Sequence, residues 1–262
     1  MATLAEAAAL TDAYRIGQGT IAARAAALAV IAFRALLNPS DLDNSFPALV
    51  AAMHPILGGA RSDASVLAGA YYEAHRLASG VEGQEPTIVA PDPLTLAQTA
   101  SSLLFSGPVS IRQQLAKGND MKFALTFAEG ITSRSVFRHA ANAGRGTIFN
   151  TAQSDRLALG YARVTDGSPC SFCAMLASRG ADYKTASAAG AKQAKSRKKD
   201  GRPVGAKFHD GCGCSIVAIY SEDDTVPGPG EEYAALWADS TKGVPTADKA
   251  NAFRRALDAQ RR

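Results

Sequence analysis

Four cysteines and one histidine are the residues of this chain best placed, by type and spacing, to do chemistry. All four cysteines fall in one 45-residue window, in the order Cys170-x-x-Cys173, then 35 residues, then His209-x-x-Cys212-x-Cys214. A CxxC turn can put two thiolates on one metal ion, and a HxxC or CxC return can supply the other ligands of a tetrahedral zinc site of the structural kind. Cys170, Cys173, His209, Cys212 and Cys214 are five candidates for four places, so one is a bystander, and Cys212 or Cys214 can stay a free thiol. Gly211 and Gly213 allow the tight turn such close ligands need. Isolated cysteines are commonly just small buried hydrophobes, but here every cysteine of the chain gathers near one histidine. A redox CxxC is the weaker reading, because no βαβ pattern surrounds Ser168-Pro169-Cys170-Ser171-Phe172-Cys173.

Pro169-Cys170-x-x-Cys173 also matches the second half of a zinc deaminase signature, whose mechanism needs a glutamate two residues after an upstream ligand. The nearby upstream histidine, His139, is followed by Ala140-Ala141-Asn142, so the acid is missing. A closed four-ligand site leaves no open position for water, which makes the expected metal structural. The chain has no Walker loop, GxSxG, HExxH or EF-hand loop. His54 and His75 stand alone. Arg145, Asn150, Asp155 and Arg163 lead into the cysteine block and read as supports behind the ligands or as surface residues. No enzymatic activity is expected.

Between the two halves of the motif lies a basic run: Lys192, Lys195, Arg197, Lys198, Lys199, Arg202 and Lys207 against Asp200 alone, a net +6 in a chain of net +4. A basic loop tethered at a metal site suits contact with a phosphate backbone without base reading. Solvated surface is the competing reading. Aromatic side chains are nearly absent from the run, so stacking on single-stranded bases has no support.

The elements that must position these residues are helical. With 262 residues, 47% hydrophobic and 20% charged, the chain can bury a core, which excludes a disordered chain and a small disulfide scaffold. Much of the apolar share is alanine and aromatics are 7%, which favours closely packed helices. No export signal is visible, and the longest strongly apolar piece, Ala25 to Phe33, falls short of the roughly 20 residues that span a bilayer. Folding in a reducing cytosol favours thiols or metal ligands over disulfides.

The spacing predicts one or two helices over 4–37, with Leu10, Tyr14, Ile21 and Leu28 on one face, then a Pro/Gly-punctuated stretch from Phe46 to Gly59 and a helix over 63–77. After a loop over 79–93, a helix starts near Asp92-Pro93, is interrupted at Gly107-Pro108 and resumes through Leu115. Helix is predicted over 121–143, a turn at Gly144-Arg145-Gly146, and helix again over 147–163. Ser215 to Tyr220 is the best strand, 221–230 reads as a linker, and a last helix follows with Thr246 as N-cap and Ala250, Phe253 and Leu257 as its stripe. The fold class is mainly α with a small α+β C-terminal module of zinc-binding type.

Residues 145–220 resemble the MuF-like minor head (head morphogenesis) proteins of tailed bacteriophages. The carriers are Arg145 with Asn150, Arg163-Val164-Thr165-Asp166, the Cys170/Cys173 pair, and Phe208-His209-Asp210-Gly211-Cys212-Gly213-Cys214. The loop between the halves is longer and more basic than is usual in that family, so no loop function carries over. The resemblance implies three parts: a helical region over 1–118 that docks on portal or capsid, a head morphogenesis domain over 119–220, and a linker with a C-terminal helix over 221–262. It also implies a non-enzymatic minor capsid protein, assembled in the host cytoplasm and carried inside the virion at the portal vertex. Its expected partners are the portal protein, a major capsid or scaffold protein and packaged DNA, with no membrane.

Overall fold

Alanine on one face of a long helix lets a second helix approach closely, and this principle builds the larger part of the molecule. In a computed structural model, described for residues 4–183, 208–221 and 226–261, the chain opens with α1 (Leu4–Leu36) and α2 (Leu42–Ala78). After an irregular stretch come α3 (Leu96–Leu104), a π-helical turn (Phe105–Val109), α4 (Ser110–Ala116) and the long α5 (Met121–Ser154). Strand β1 (Gly160–Val164), α6 (Ser171–Ala177), β2 (Ala181–Tyr183) and β3 (Ser215–Ile219) make the small mixed part, and α7 (Gly230–Ser240) and α8 (Lys249–Gln260) close the chain. The fold is mainly α with a small sheet toward the C-terminus, as the composition and the lone β-branched segment led one to expect.

The buried face of α1 is Tyr14, Ala22, Ala25, Ala29 and Phe33, whereas Leu28 is exposed. Of the predicted face Tyr14 is buried as expected and Leu28 is not, and most of the buried face of α1 is made of alanines. By length and composition alone α1 also passes for a membrane span over Ala5–Leu36, which the shorter 25–33 run did not reveal.

Helix α2 runs through Pro47, Pro55, Gly58 and Gly59, where the sequence predicts a break. An interior proline costs about 3 kcal/mol. The stripe Leu42, Leu49, Val50, Met53 and Leu57, all buried, outweighs it. Likewise Gly144-Arg145-Gly146 is helix and not a turn. A Cβ on Gly144 would lie 2.7 Å from the Tyr14 hydroxyl and 3.0 Å from the Ala64 carbonyl oxygen, so the glycine marks close approach of α1 and α2 to α5.

The predicted helix over 147–163 ends at Ser154, and Gly160–Val164 is a strand instead. Asp155 turns the chain: its Oδ1 accepts from the Leu157 N–H at 2.9 Å, while Oδ2 accepts from Tyr72 and pairs with buried Arg76 at 3.4 Å. Helix α3 begins at Leu96 behind a Thr95/Gln98 capping box, later than Asp92-Pro93. Pro108 falls in the π-helical turn, so the interruption there is a local widening. Helix α8 begins after Asp248 and not after Thr246, and it buries Phe253 and Leu257.

The sheet has order β2-β1-β3, all antiparallel, with Gly160 opposite Tyr183 and Ile219, and Val164 opposite Ser215. Ile216, Val217 and Ala218 of β3 share one core with Tyr14 of α1, Tyr71 and Tyr72 of α2 and Ile148 and Ala152 of α5. Helices before and after residue 118 thus pack into common cores.

Candidate metal centre

The β1–β3 register brings the two halves of the cysteine motif together. Because Val164 pairs with Ser215, the chain leaves β1 toward Cys170 at the same end of the sheet where it enters β3 from Cys214. Cys170 caps α6, its Sγ 3.5 Å from the Cys173 backbone N–H, and the first turn of that helix carries Cys173 inward. On the other side the 208–214 loop lies along α5. Gly211, at φ +75°, donates its N–H to the Arg134 carbonyl at 3.2 Å, and Arg138 pairs with Asp210. Gly213 sits so close to Asp166 that a Cβ would come within 2.5 Å of its carboxylate.

All five predicted ligands converge. The ligand atoms of Cys170, Cys173 and His209 lie within 4.8 Å of one another, as do those of Cys173, Cys212 and Cys214, so Cys173 belongs to both trios. His209 Nε2 is 2.9 Å from Cys170 Sγ and 3.6 Å from Cys173 Sγ, and Cys173 Sγ is 3.4 Å from Cys212 Sγ. Tetrahedral zinc with bonds of about 2.3 Å to sulfur holds its thiolates about 3.8 Å apart, so these spacings need only small movements. His209 Nδ1 donates to the Asp210 carbonyl at 2.9 Å, which leaves Nε2 as the lone-pair nitrogen facing the thiols. No disulfide links the cysteines, three of which are buried. The cluster can hold a metal ion.

Electrostatics favour an anion here. Hydrogen bonds from Cys173 and Cys214, together with the charge of Arg145, hold the Cys212 thiol far below the usual thiol range. Cys173 is pushed up by its hydrogen bond to Cys212 and by contact with Cys214. A bond to Cys173 pulls Cys214 down, but its contact with Cys212 and burial lift it to about 12. Arg145, buried on α5, donates Nε to the Cys214 carbonyl at 2.8 Å, Nη2 to the Cys212 carbonyl and Nη1 to Asn142 at 2.9 Å. Burial lowers its pKa to about 10, which leaves it charged at neutral pH. Arg163 donates to Cys173 Sγ at 3.7 Å, and both guanidinium groups lie over the Phe208 ring, at 3.9 and 4.0 Å from its centroid.

Of the other polar residues singled out by sequence, Arg145 and Arg163 back the cluster, and Asp155 serves the α2–α5 junction instead. His54 Nδ1 meets the Thr99 hydroxyl at 3.0 Å, and His75 Nε2 meets the Ala218 carbonyl at 3.2 Å. Lys192, Lys195, Arg197, Lys198, Lys199, Arg202 and Lys207 lie outside the described residues. Sequence reasoning missed the docking face on α5, although Arg134, Arg138 and Arg145 recur at helical spacing. It also missed a cleft of about 520 Å³ between α3 and α5, lined by Ser102, Ser135, Arg138, His139 and Asp210 among others. Ser102 Oγ is 2.8 Å from His139 Nε2, but Asp210, the acid of that lining, is engaged by Arg138. Burial, with Arg138 and Arg61 nearby, holds the pKa of His139 at about 4.

Fold and site together define a helical protein whose C-terminal sheet and α5 clamp one Cys/His cluster that could hold a metal ion. A family model described as VG15 protein matches residues 5–240. The chain belongs to the VG15 protein family, and it is a phage-encoded viral protein. Comparisons with curated proteins and with solved structures give no match.

Proposed function

We propose that the chain is a minor capsid, head morphogenesis protein of a tailed phage, acting at the portal vertex in head assembly or in DNA packaging and delivery. The observation that carries this reading is the convergence of Arg145, Arg163, Phe208 and the five Cys/His residues on one centre. These are the residues that resemble the MuF-like proteins, and membership of a phage protein family supports the same direction. Zinc is the metal that fits best. The donors are thiolates and an imidazole, the two trios share Cys173, and a closed set of four would tie loop 165–170 to loop 208–214. Cys170, Cys173, His209 and Cys212 are the four ligands, with Cys214 behind them. In this role the metal holds the fold together, and the protein needs no catalytic activity of its own.

Mass spectrometry of purified virions, together with a nonsense mutation in the gene, tests the function. The reading expects the chain in the particle in far fewer copies than the major capsid protein, and mutant lysates poor in DNA-filled heads. A chain absent from virions, with normal filled heads in the mutant, overturns it. The basic run over 192–207 gives a second reading, contact with packaged DNA through the phosphate backbone.

A further inference from the structure

Arg145 is buried, and its hydrogen-bond partners are two carbonyl oxygens and one amide oxygen. No carboxylate forms an ion pair with it among the described residues. A buried cation without a counter-charge is expensive, and carbonyl dipoles and an aromatic face offset only part of that cost. Arg163, also buried, donates to Cys173 Sγ at 3.7 Å and, like Arg145, lies over the Phe208 ring. Two positive side chains therefore converge on thiols 173 and 212–214. Neutral thiols would leave Arg145 no charge to balance. Zinc with three thiolates and one imidazole carries −1, and with four thiolates −2.

We infer that the centre holds its divalent metal as an anionic, thiolate-rich complex, and that Arg145, assisted by Arg163, is the buried counter-charge that positions the Cys212–Cys214 loop and sets metal affinity. The inference rests on the metal reading above. It adds that Arg145 acts by its charge as well as by clipping two carbonyls. The Phe208 ring contacts both guanidinium groups, at 3.9 and 4.0 Å from its centroid.

Cobalt(II) and zinc(II) titrations of the full chain, with a competing chelator, test this on Arg145→Lys, Arg145→Gln and Arg163→Gln. The wild type is expected to bind one ion with an intense sulfur-to-cobalt charge-transfer band. Arg145→Gln should bind about ten- to a hundredfold more weakly, with the band shifted. Arg145→Lys should recover most of the affinity, because it restores charge without the forked bonds. Arg163→Gln keeps both carbonyl clips, so it decides the matter if Arg145→Gln does not fold, and a loss of about tenfold is expected.

Unchanged affinity in the folded glutamine variants overturns the counter-charge while leaving the metal site standing. Lysine and glutamine variants that are equally impaired, with equal loss of stability in the metal-free protein, reduce Arg145 to a mechanical clip and also overturn it. A wild type that takes up neither ion removes the metal reading itself, and this inference with it.

Discussion

Cys173 and Cys212 stand 3.4 Å apart, sulfur to sulfur, though 39 positions separate them in the chain. Cys173 also belongs to the trio with Cys170 and His209, which makes it the residue common to both close trios of the cluster. Cys173→Ser is therefore expected to abolish metal binding, and Cys214→Ser to retain it. Metal analysis of the purified variants checks this, with thermal melts alongside. Because metal binding is coupled to folding, a chelator should lower the wild-type melting temperature and leave that of Cys173→Ser unmoved. Retention of stoichiometric metal by Cys173→Ser would show that the ligand set is wrong.

The pH dependence of stability should carry the signature of His139. Burial, then the charges of Arg138 and Arg61, lower its pKa to about 4, against the partial opposing effect of Asp210. The unfolded chain, with an ordinary histidine near 6.5, binds more protons between those two values. Stability is thus full above about pH 6.5 and is lost as pH falls toward 4, by up to about 3 kcal/mol. Urea unfolding of wild type and His139→Gln over this range checks it. The substitution should flatten the profile between pH 4 and 6.5, and an unchanged slope would assign the acid sensitivity elsewhere.

The Cys/His cluster was legible in the sequence because its motifs are local: CxxC and HxxCxC are short, and Gly211 and Gly213 sit where the turn needs them. What was not legible depends on packing between distant segments. Gly144 reads as a turn residue until α1 and α2 are in place, since nothing in its neighbours announces a helix crossing. The stripe that carries α2 through Pro47 and Pro55 acts only in a core built with the other helices, so local propensity gives the wrong answer there. The Ser102–His139 contact joins residues 37 positions apart with no spacing rule to link them. Gly160–Val164 reads as helix because its strand character comes from pairing on both sides with β2 and β3.

Duplex DNA affinity offers a check on the basic run that needs no structure of it. Seven cations against one acid over 192–207 are expected to bind phosphates by counterion release, so affinity should fall steeply with salt. Each phosphate contact contributes about 0.9 to the slope of log affinity against log salt, so replacing Lys198 and Lys199 by Ala should shrink that slope by about 2. Fluorescence anisotropy with two unrelated duplexes measures it, and the two should bind alike. A shallow slope, or one indifferent to the double substitution, would make the run a solvated surface.

Two glycines of α5 should respond to alanine with opposite signs. In the interior of a helix, alanine is favoured over glycine by about 1 kcal/mol where nothing obstructs the new methyl group. Gly130 is such a place, with no atom within 4 Å of its missing Cβ. At Gly144 the methyl group would meet the Ala64 backbone oxygen at 3.0 Å and the Tyr14 hydroxyl at 2.7 Å. The tyrosine ring cannot swing away cheaply, because it is buried and stacked on Tyr71 at 4.4 Å between centroids. Gly144→Ala must instead push α2 off α5, at a cost of about 1–3 kcal/mol that outweighs the helix-propensity gain. Chemical denaturation of the two single variants decides the matter. Gly130→Ala should raise the midpoint and Gly144→Ala lower it, and a stabilised Gly144→Ala would mean that α1, α2 and α5 do not meet as tightly as these distances require.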